Sequence, residues 1–198
     1  MDNKRKFIYK NYEWDNTWID NADKLDKKRV LYIGDSISCG IRRIATDLTK
    51  GEILFDGYGT SKSIDNPYLT QSIKAFAQQE GSRDVILFNN GLHGWHLDDE
   101  TEYKEYFEKV TKFLVENFKD TPLVILLTTY IDQEREKRVI KRNDAASEVA
   151  KKYNLPVIDL HREAQKNQKF LKKDGVHFLK KGYVNLAKKV VYVVKEII

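Results

Sequence analysis

The sequence predicts a single three-layer α/β/α sandwich built on a central, mainly parallel five-stranded sheet. Three observations lead there. Short apolar runs recur along the chain, longer amphipathic helical patterns separate them, and no linker, repeat or low-complexity tract interrupts the alternation. Runs apolar at successive positions suit strands buried on both faces, as parallel strands are when helices cover both sides. The 198 residues fit one domain with a sizeable core.

Residues 1–27 are polar and aromatic, with Tyr9, Tyr12, Trp14 and Trp18. They are expected to form an N-terminal extension packed on the domain, its aromatics covering an apolar edge. RVLYI at 29–33 is the first strand. A helix over 37–50 follows, with Gly51 as its stop. Residues 53–55 form a second strand. Asp65, Asn66 and Pro67 open a helix reaching 79, with Pro67 in its first turn. VILFN at 85–89 is the third strand. Asp98 and Asp99 begin a long helix to 118, in which Tyr106, Phe107, Val110, Phe113, Leu114 and Phe118 share a face. LVILLT at 123–128 is the fourth strand. A helix over 138–153 buries Ala145, Ala146, Val149 and Tyr153. Val157 and Ile158 form a fifth strand, and a helix over 179–197 aligns Tyr183, Leu186, Val190 and Val194.

Hydrophobic residues are 41% and charged residues 33%, the balance of a soluble globular protein. No apolar run approaches the roughly 20 residues of a membrane helix. No apolar stretch follows the basic N-terminal residues, so a cytoplasmic location is expected. Cys39 is the single cysteine, which excludes an internal disulfide and a cysteine metal cluster. It reads as a small buried filler. The net charge of +5 is concentrated near the C-terminus, at Lys166, Lys169, Lys172, Lys173, Lys180, Lys181, Lys188 and Lys189. With no accompanying arginine-aromatic module this reads as a solvated face, and neither a nucleic-acid nor a membrane partner is expected.

In open parallel sheets, ligands sit beyond the carboxyl ends of the strands. Gly34-Asp35-Ser36-Ile37-Ser38 follows the first strand, and residues 56–61 (DGYGTS) follow the second. Residues 90–96 (NGLHGWH) follow the third. Asp174-Gly175-Val176-His177 precedes the last helix. Together they supply a serine, backbone donors at glycines, Asn and His side chains, and an Asp-His pair. That set suits acyl transfer. A serine needs a base to take its proton, and histidine titrates near neutrality. A carboxylate on the other ring nitrogen fixes the tautomer, and N–H donors hold the oxyanion. Each piece alone also has a plain reading: a helix cap, a turn, a permissive loop. His161 has no partner motif and is read as structural.

The two blocks Gly34-Asp35-Ser36-Ile37-Ser38 and Asp174-Gly175-Val176-His177, in this order and about 140 residues apart, resemble those of the GDSL, or SGNH, hydrolases. The resemblance runs from about residue 29 to the end and implies a flavodoxin-like arrangement of the sheet. By position it implies Ser36 as nucleophile, His177 as general base and Asp174 as the orienting acid. It implies the Ser36 N–H as one oxyanion donor and Gly59, before Gly57, as the second. The third block departs from the family's Gly-x-Asn-Asp: here it reads Gly91-Leu92-His93-Gly94, with histidine in place of asparagine. His93 is one candidate donor, and Asn89 or Asn90 offers an amide instead. The family hydrolyses esters and thioesters without metal or organic cofactor, so no cofactor is expected. Trp95, His96 and Tyr58, joined by Trp14 or Trp18, suggest an aromatic wall for a sugar. The resulting expectation is a serine hydrolase of short acyl esters, chiefly acetyl esters of carbohydrates, with a small-molecule or oligosaccharide ester as its partner. A lipid or aryl esterase, a thioesterase, and a non-catalytic glycan-binding module on the same fold are the alternatives.

Overall fold

The computed structural model describes residues 13–97 and 99–198. Tyr9, Tyr12 and Asp98 lie outside them. Among the described residues the sheet has six strands, in the order β1-β3-β2-β4-β5-β6. They are β1 (Asp15–Trp18), β2 (Lys28–Gly34), β3 (Ile53–Thr60), β4 (Val85–Phe88), β5 (Leu123–Leu126) and β6 (Val157–Ile158). All neighbours run parallel except β1, which pairs antiparallel with β3. The sixth strand corrects the expected count of five. β1 (DNTW) is exposed throughout and has no apolar alternation to reveal it. Pairing with the end of β3 creates it, through Asn16 opposite Gly59 and Thr17 opposite Tyr58.

The helices are α1 (Ser36–Leu48), α2 (Leu69–Glu80), α3 (Glu100–Asn117), α4 (Glu136–Lys152), α5 (Leu160–Lys166) and α6 (Lys180–Lys195). Helix α5 is short and was not expected. Strand β2 explains the layering. Val30 and Tyr32 belong to the core beneath α1 and α6, with Ile37, Ile41, Leu186 and Val190. Leu31 and Ile33 belong to the opposite core, with Ile73, Phe107, Leu114 and Val149 of α2, α3 and α4. Side chains alternate across a strand, so burial on both faces produces the continuous apolar run. No described helix is long and apolar enough to cross a membrane.

After β2 the chain passes outward to β3, then returns to β4 on the other side of β2. This reversal opens a crevice above the carboxyl end of β2. Ser36 begins α1 directly at that end.

Away from the crevice, the fold buries a cluster of charges. Arg29 on β2 donates to both carboxylate oxygens of Asp56 on β3, at 2.9 and 2.8 Å, and to the carbonyls of Asp20, Asn21 and Lys24. These bonds tie the segment after β1 to the sheet. Glu80, at the end of α2, has a fully buried side chain held by Arg83 Nε at 2.7 Å. Burial pushes its carboxyl up to about 8, against the pull of Arg83 and with the nearby Asp56 carboxylate raising it further. The native state therefore holds a proton that the unfolded chain releases at ordinary carboxyl values, near 4.5. Stability contributed by that proton is complete below pH 4.5 and is lost as pH rises toward 8. Glu80→Gln keeps a neutral donor at every pH. Urea unfolding at pH 5 and pH 8.5 is expected to show wild-type stability falling more than the variant's, by a difference on the order of a few kcal/mol. Equal pH slopes in the two proteins would refute the proton held on Glu80.

Candidate active site

Asp35 sits in extended conformation at the end of β2 and caps α1, accepting the Ile37 N–H at 2.8 Å. The cap fixes where the helix starts and sets Ser36 as its first residue, beside the exposed amides of the first turn. Ser38 Oγ donates back to the Asp35 carbonyl at 2.6 Å and tightens the same turn.

His177 is held by the loop between the 3₁₀ turn Gln168–Phe170 and α6. Leu171 bridges Phe178, and Lys172 N–H donates to the His177 carbonyl at 2.7 Å. Phe178 is buried and anchors the loop in the core beneath α1 and α6. Gly175 turns the chain at φ +70, where a Cβ would lie 2.6 Å from the Asp132 carbonyl, so only glycine fits there. The loop between β5 and α4 locks the turn: Asp132 N–H donates to the Gly175 carbonyl at 2.7 Å, and Gln133 Nε2 to the Asp174 carbonyl at 2.6 Å.

Three side chains meet, Ser36 joining a pair near the other end of the chain. Asp174 Oδ2 lies 3.0 Å from His177 Nδ1, and His177 Nε2 lies 2.8 Å from Ser36 Oγ. Asp174 Oδ1 accepts the N–H groups of Val176 and His177 at 2.9 and 2.8 Å. Partial desolvation pushes the Asp174 carboxyl up. The bonds from the His177 and Val176 amides and from the imidazole outweigh it and hold the group down at about 2. An ionised carboxylate only accepts, so this network assigns the imidazole proton to Nδ1 and leaves the Nε2 lone pair for the Ser36 hydroxyl. Both partners stay open to solvent, with side chains 36% exposed for His177 and 48% for Asp174, which leaves the pair approachable from the crevice.

The remaining residues singled out in the sequence divide. Gly59 lies near the end of β3 against the nucleophile turn. A Cβ there would lie 2.4 Å from Cys39 Sγ and 3.5 Å from the Asp35 carbonyl, so a close approach requires glycine. His93 lies in the loop after β4, its ring edge-on to Trp14 at 6.3 Å. Asn89 does not serve as the amide donor: its Nδ2 gives its hydrogens to the Leu126 carbonyl and Thr128 Oγ1, at 2.8 and 3.0 Å. The Asn90 amide donates to the Lys62 carbonyl at 3.0 Å, joining the loops after β3 and β4. Tyr58 is no part of a substrate wall. It is 2% exposed, packs on Phe76 beneath α2 and donates to Asp15 Oδ1. Its place on β3 turns it to the sheet face opposite α1, a parity that the loop assignment hid. His96 pairs with Asp65, Nε2 to Oδ2 2.8 Å, and so links the same two loops. Trp95 is half-buried, with the Arg142 guanidinium 4.3 Å from its ring centre and Arg135 and Arg138 at 5.2 and 5.4 Å. Trp18 is exposed beneath Arg43. His161 pairs with Glu136 at 2.7 Å.

Two residues escaped the sequence reading. Arg142 and Arg138 of α4 reach the backbone of the loop carrying His93. The available signal was position: Arg142 falls at helical spacing with Val139, Ala146 and Val149, on the face that turns inward.

No family model matches the chain, and no curated protein matches it by sequence. Solved structures do match it. A member of the lipolytic protein G-D-S-L family from Veillonella parvula is similar at 21% identity and a TM-score of 0.69, over 85% of this chain and 98% of that one. A lipase/acylhydrolase from Enterococcus faecalis is similar at 20% identity and a TM-score of 0.68, over 85% of this chain and 96% of that one. An acetyl xylan esterase is similar at 20% identity and a TM-score of 0.66, over 84% of this chain and 99% of that one. At these identities the likeness is one of fold, and the fold is that of the GDSL/SGNH acylhydrolase structures.

Proposed function

We propose that this chain is a serine esterase of the GDSL/SGNH type that removes short acyl groups, acetyl first among them, from a carbohydrate. The observation that carries the reading is the continuous line from Asp174 through His177 to Ser36, with contacts of 3.0 and 2.8 Å.

In the proposed reaction His177 Nε2 takes the Ser36 proton as Oγ attacks the acyl carbon. The imidazolium that forms keeps its Nδ1 proton on the ionised Asp174. Negative charge on the former carbonyl oxygen meets the amide end of α1 at Ser36 and the Gly59 N–H, with His93 as the third donor. Protonated His177 then gives its proton to the leaving sugar oxygen, which departs as a hydroxyl, and the acyl group stays on Ser36. Water, deprotonated by His177, attacks that ester; the bond to Oγ breaks, His177 returns the proton to Ser36 Oγ, and the carboxylic acid leaves.

The half-buried Trp14 ring beside His93 suits the apolar face of a sugar, and the fold likeness to an acetyl xylan esterase points the same way.

Hydrolysis of 4-nitrophenyl acetate, butyrate and octanoate, and of acetylated xylo-oligosaccharides, tests the reading together with labelling by a fluorophosphonate. The expected result is stoichiometric labelling at Ser36, a rate that falls with acyl length, and acetate release from the sugar. A preference for octanoate removes the acetyl assignment, and failure to label Ser36 removes the esterase.

A further inference from the structure

Arg142 is fully buried, 0% exposed, yet no carboxylate pairs with it among the described residues. Its guanidinium is held by carbonyls instead. Nη1 donates to Gly91 O at 3.0 Å and His93 O at 2.7 Å, and Nη2 to Gly94 O at 2.8 Å and Leu97 O at 3.5 Å. Above and below, it lies 4.3 Å from the Trp95 ring centre and 4.7 Å from that of Tyr103. Tyr103 donates its hydroxyl to the Asn90 carbonyl at 2.8 Å. Arg138 adds bonds to the Trp95 and Leu97 carbonyls and is itself held by Glu100 at 2.7 Å. The carbonyls of residues 90, 91, 93, 94, 95 and 97 are thus all taken by α3 and α4.

Burying a guanidinium without a carboxylate is costly, and desolvation lowers its pKa to about 10, still charged at neutral pH. The cost is matched by what the geometry does. The described peptides are all trans, so each carbonyl turned to Arg142 sends the N–H of the same peptide the other way. Those N–H groups belong to Leu92, Gly94 and Trp95. The far side of the loop faces the segment after β3, where a Cβ on Gly94 would lie 2.7 Å from Ser63 Cβ. Strand β2 lies between β3 and β4, so the meeting of these two loops stands above Ser36.

We propose that Arg142 is a positioning residue for the oxyanion site: it holds the backbone of the loop at 91–97 so that the His93 ring is set above Ser36. The proposal rests on the esterase reading and falls with it. It also accounts for the changed third block. With histidine where the family carries asparagine, a larger ring must be placed by its backbone, and Arg142 grips that backbone at His93 O.

Arg142→Lys keeps the cation but loses the planar fork. On 4-nitrophenyl acetate the variant is expected to lose about 10- to 100-fold in kcat, with KM within about threefold, because the oxyanion forms only after binding. In a His93→Ala background the same substitution is expected to cost less than about threefold, since both act through one group. Arg138→Gln, which loosens the loop from its half-exposed side, is expected to show a smaller kcat loss that also vanishes in the His93→Ala background. It carries the test if Arg142→Lys does not fold. A folded Arg142→Lys with kcat within twofold of wild type overturns the proposal. So does a loss that multiplies with that of His93→Ala. Wild type and Ser36→Ala run alongside: an inactive wild type sinks both readings, and an active wild type with an unaffected Arg142→Lys sinks this one alone.

Discussion

Ser36→Ala is expected to lower kcat on 4-nitrophenyl acetate by about 10⁴- to 10⁶-fold, the scale of losing a nucleophile that works with its base as a unit. The fold is expected to survive. Asp35, not Ser36, caps α1, through the bond from Ile37 N–H, and that cap is untouched by the change. The lost hydroxyl lies at a half-buried position, where substitutions usually shift stability by less than about 1 kcal/mol. Stopped assays with enough enzyme to detect the residual rate, beside thermal unfolding, separate the two effects. A variant that keeps a tenth of the wild-type rate would place the chemistry elsewhere.

Asp174→Asn is expected to cost about 10⁴-fold in kcat with little change in volume. Asp174 Oδ1 accepts two backbone N–H groups, from Val176 and His177. An asparagine keeps those bonds by leaving its oxygen there, which turns its NH₂ toward His177 Nδ1. The ring must then accept at Nδ1 and carry its proton on Nε2, the atom facing Ser36. The base would point a proton at the hydroxyl it has to deprotonate. With its carboxyl held near 2, Asp174 stays ionised through the whole working range. No loss of wild-type activity between pH 5 and 8 therefore arises from it. A kcat–pH profile of both proteins checks this, and an Asp174→Asn enzyme within tenfold of wild type contradicts the tautomer argument.

The readable and the unreadable parts of this protein differ in the range of the interactions that produce them. The strands β2, β4 and β5 are legible because burial on both faces leaves a local apolar run. Strand β1 is not, since its four residues are exposed and only pairing with β3 makes them a strand. A second strand that ends at 55 puts Tyr58 in a cleft. The strand continues to Thr60, and its alternation turns Tyr58 into the core beneath α2. Asn89 offered an amide by type, but its hydrogens go to acceptors on β5 and in the loop after it, which the sequence places 37 and 39 residues away.

By itself the sequence determined the alternation of strands and helices, the place of Ser36 at a strand-to-helix turn, and the Asp174–His177 spacing that lets one carboxylate take two amides and an imidazole. These follow from local backbone geometry and from the period of the apolar residues. The tertiary structure alone decided that His177 reaches Ser36 across 141 positions of chain. It also decided which amides are already bonded, and that two arginines on α4 grip the loop bearing His93. Those outcomes depend on strand order and on which buried polar groups meet, and no local pattern encodes either.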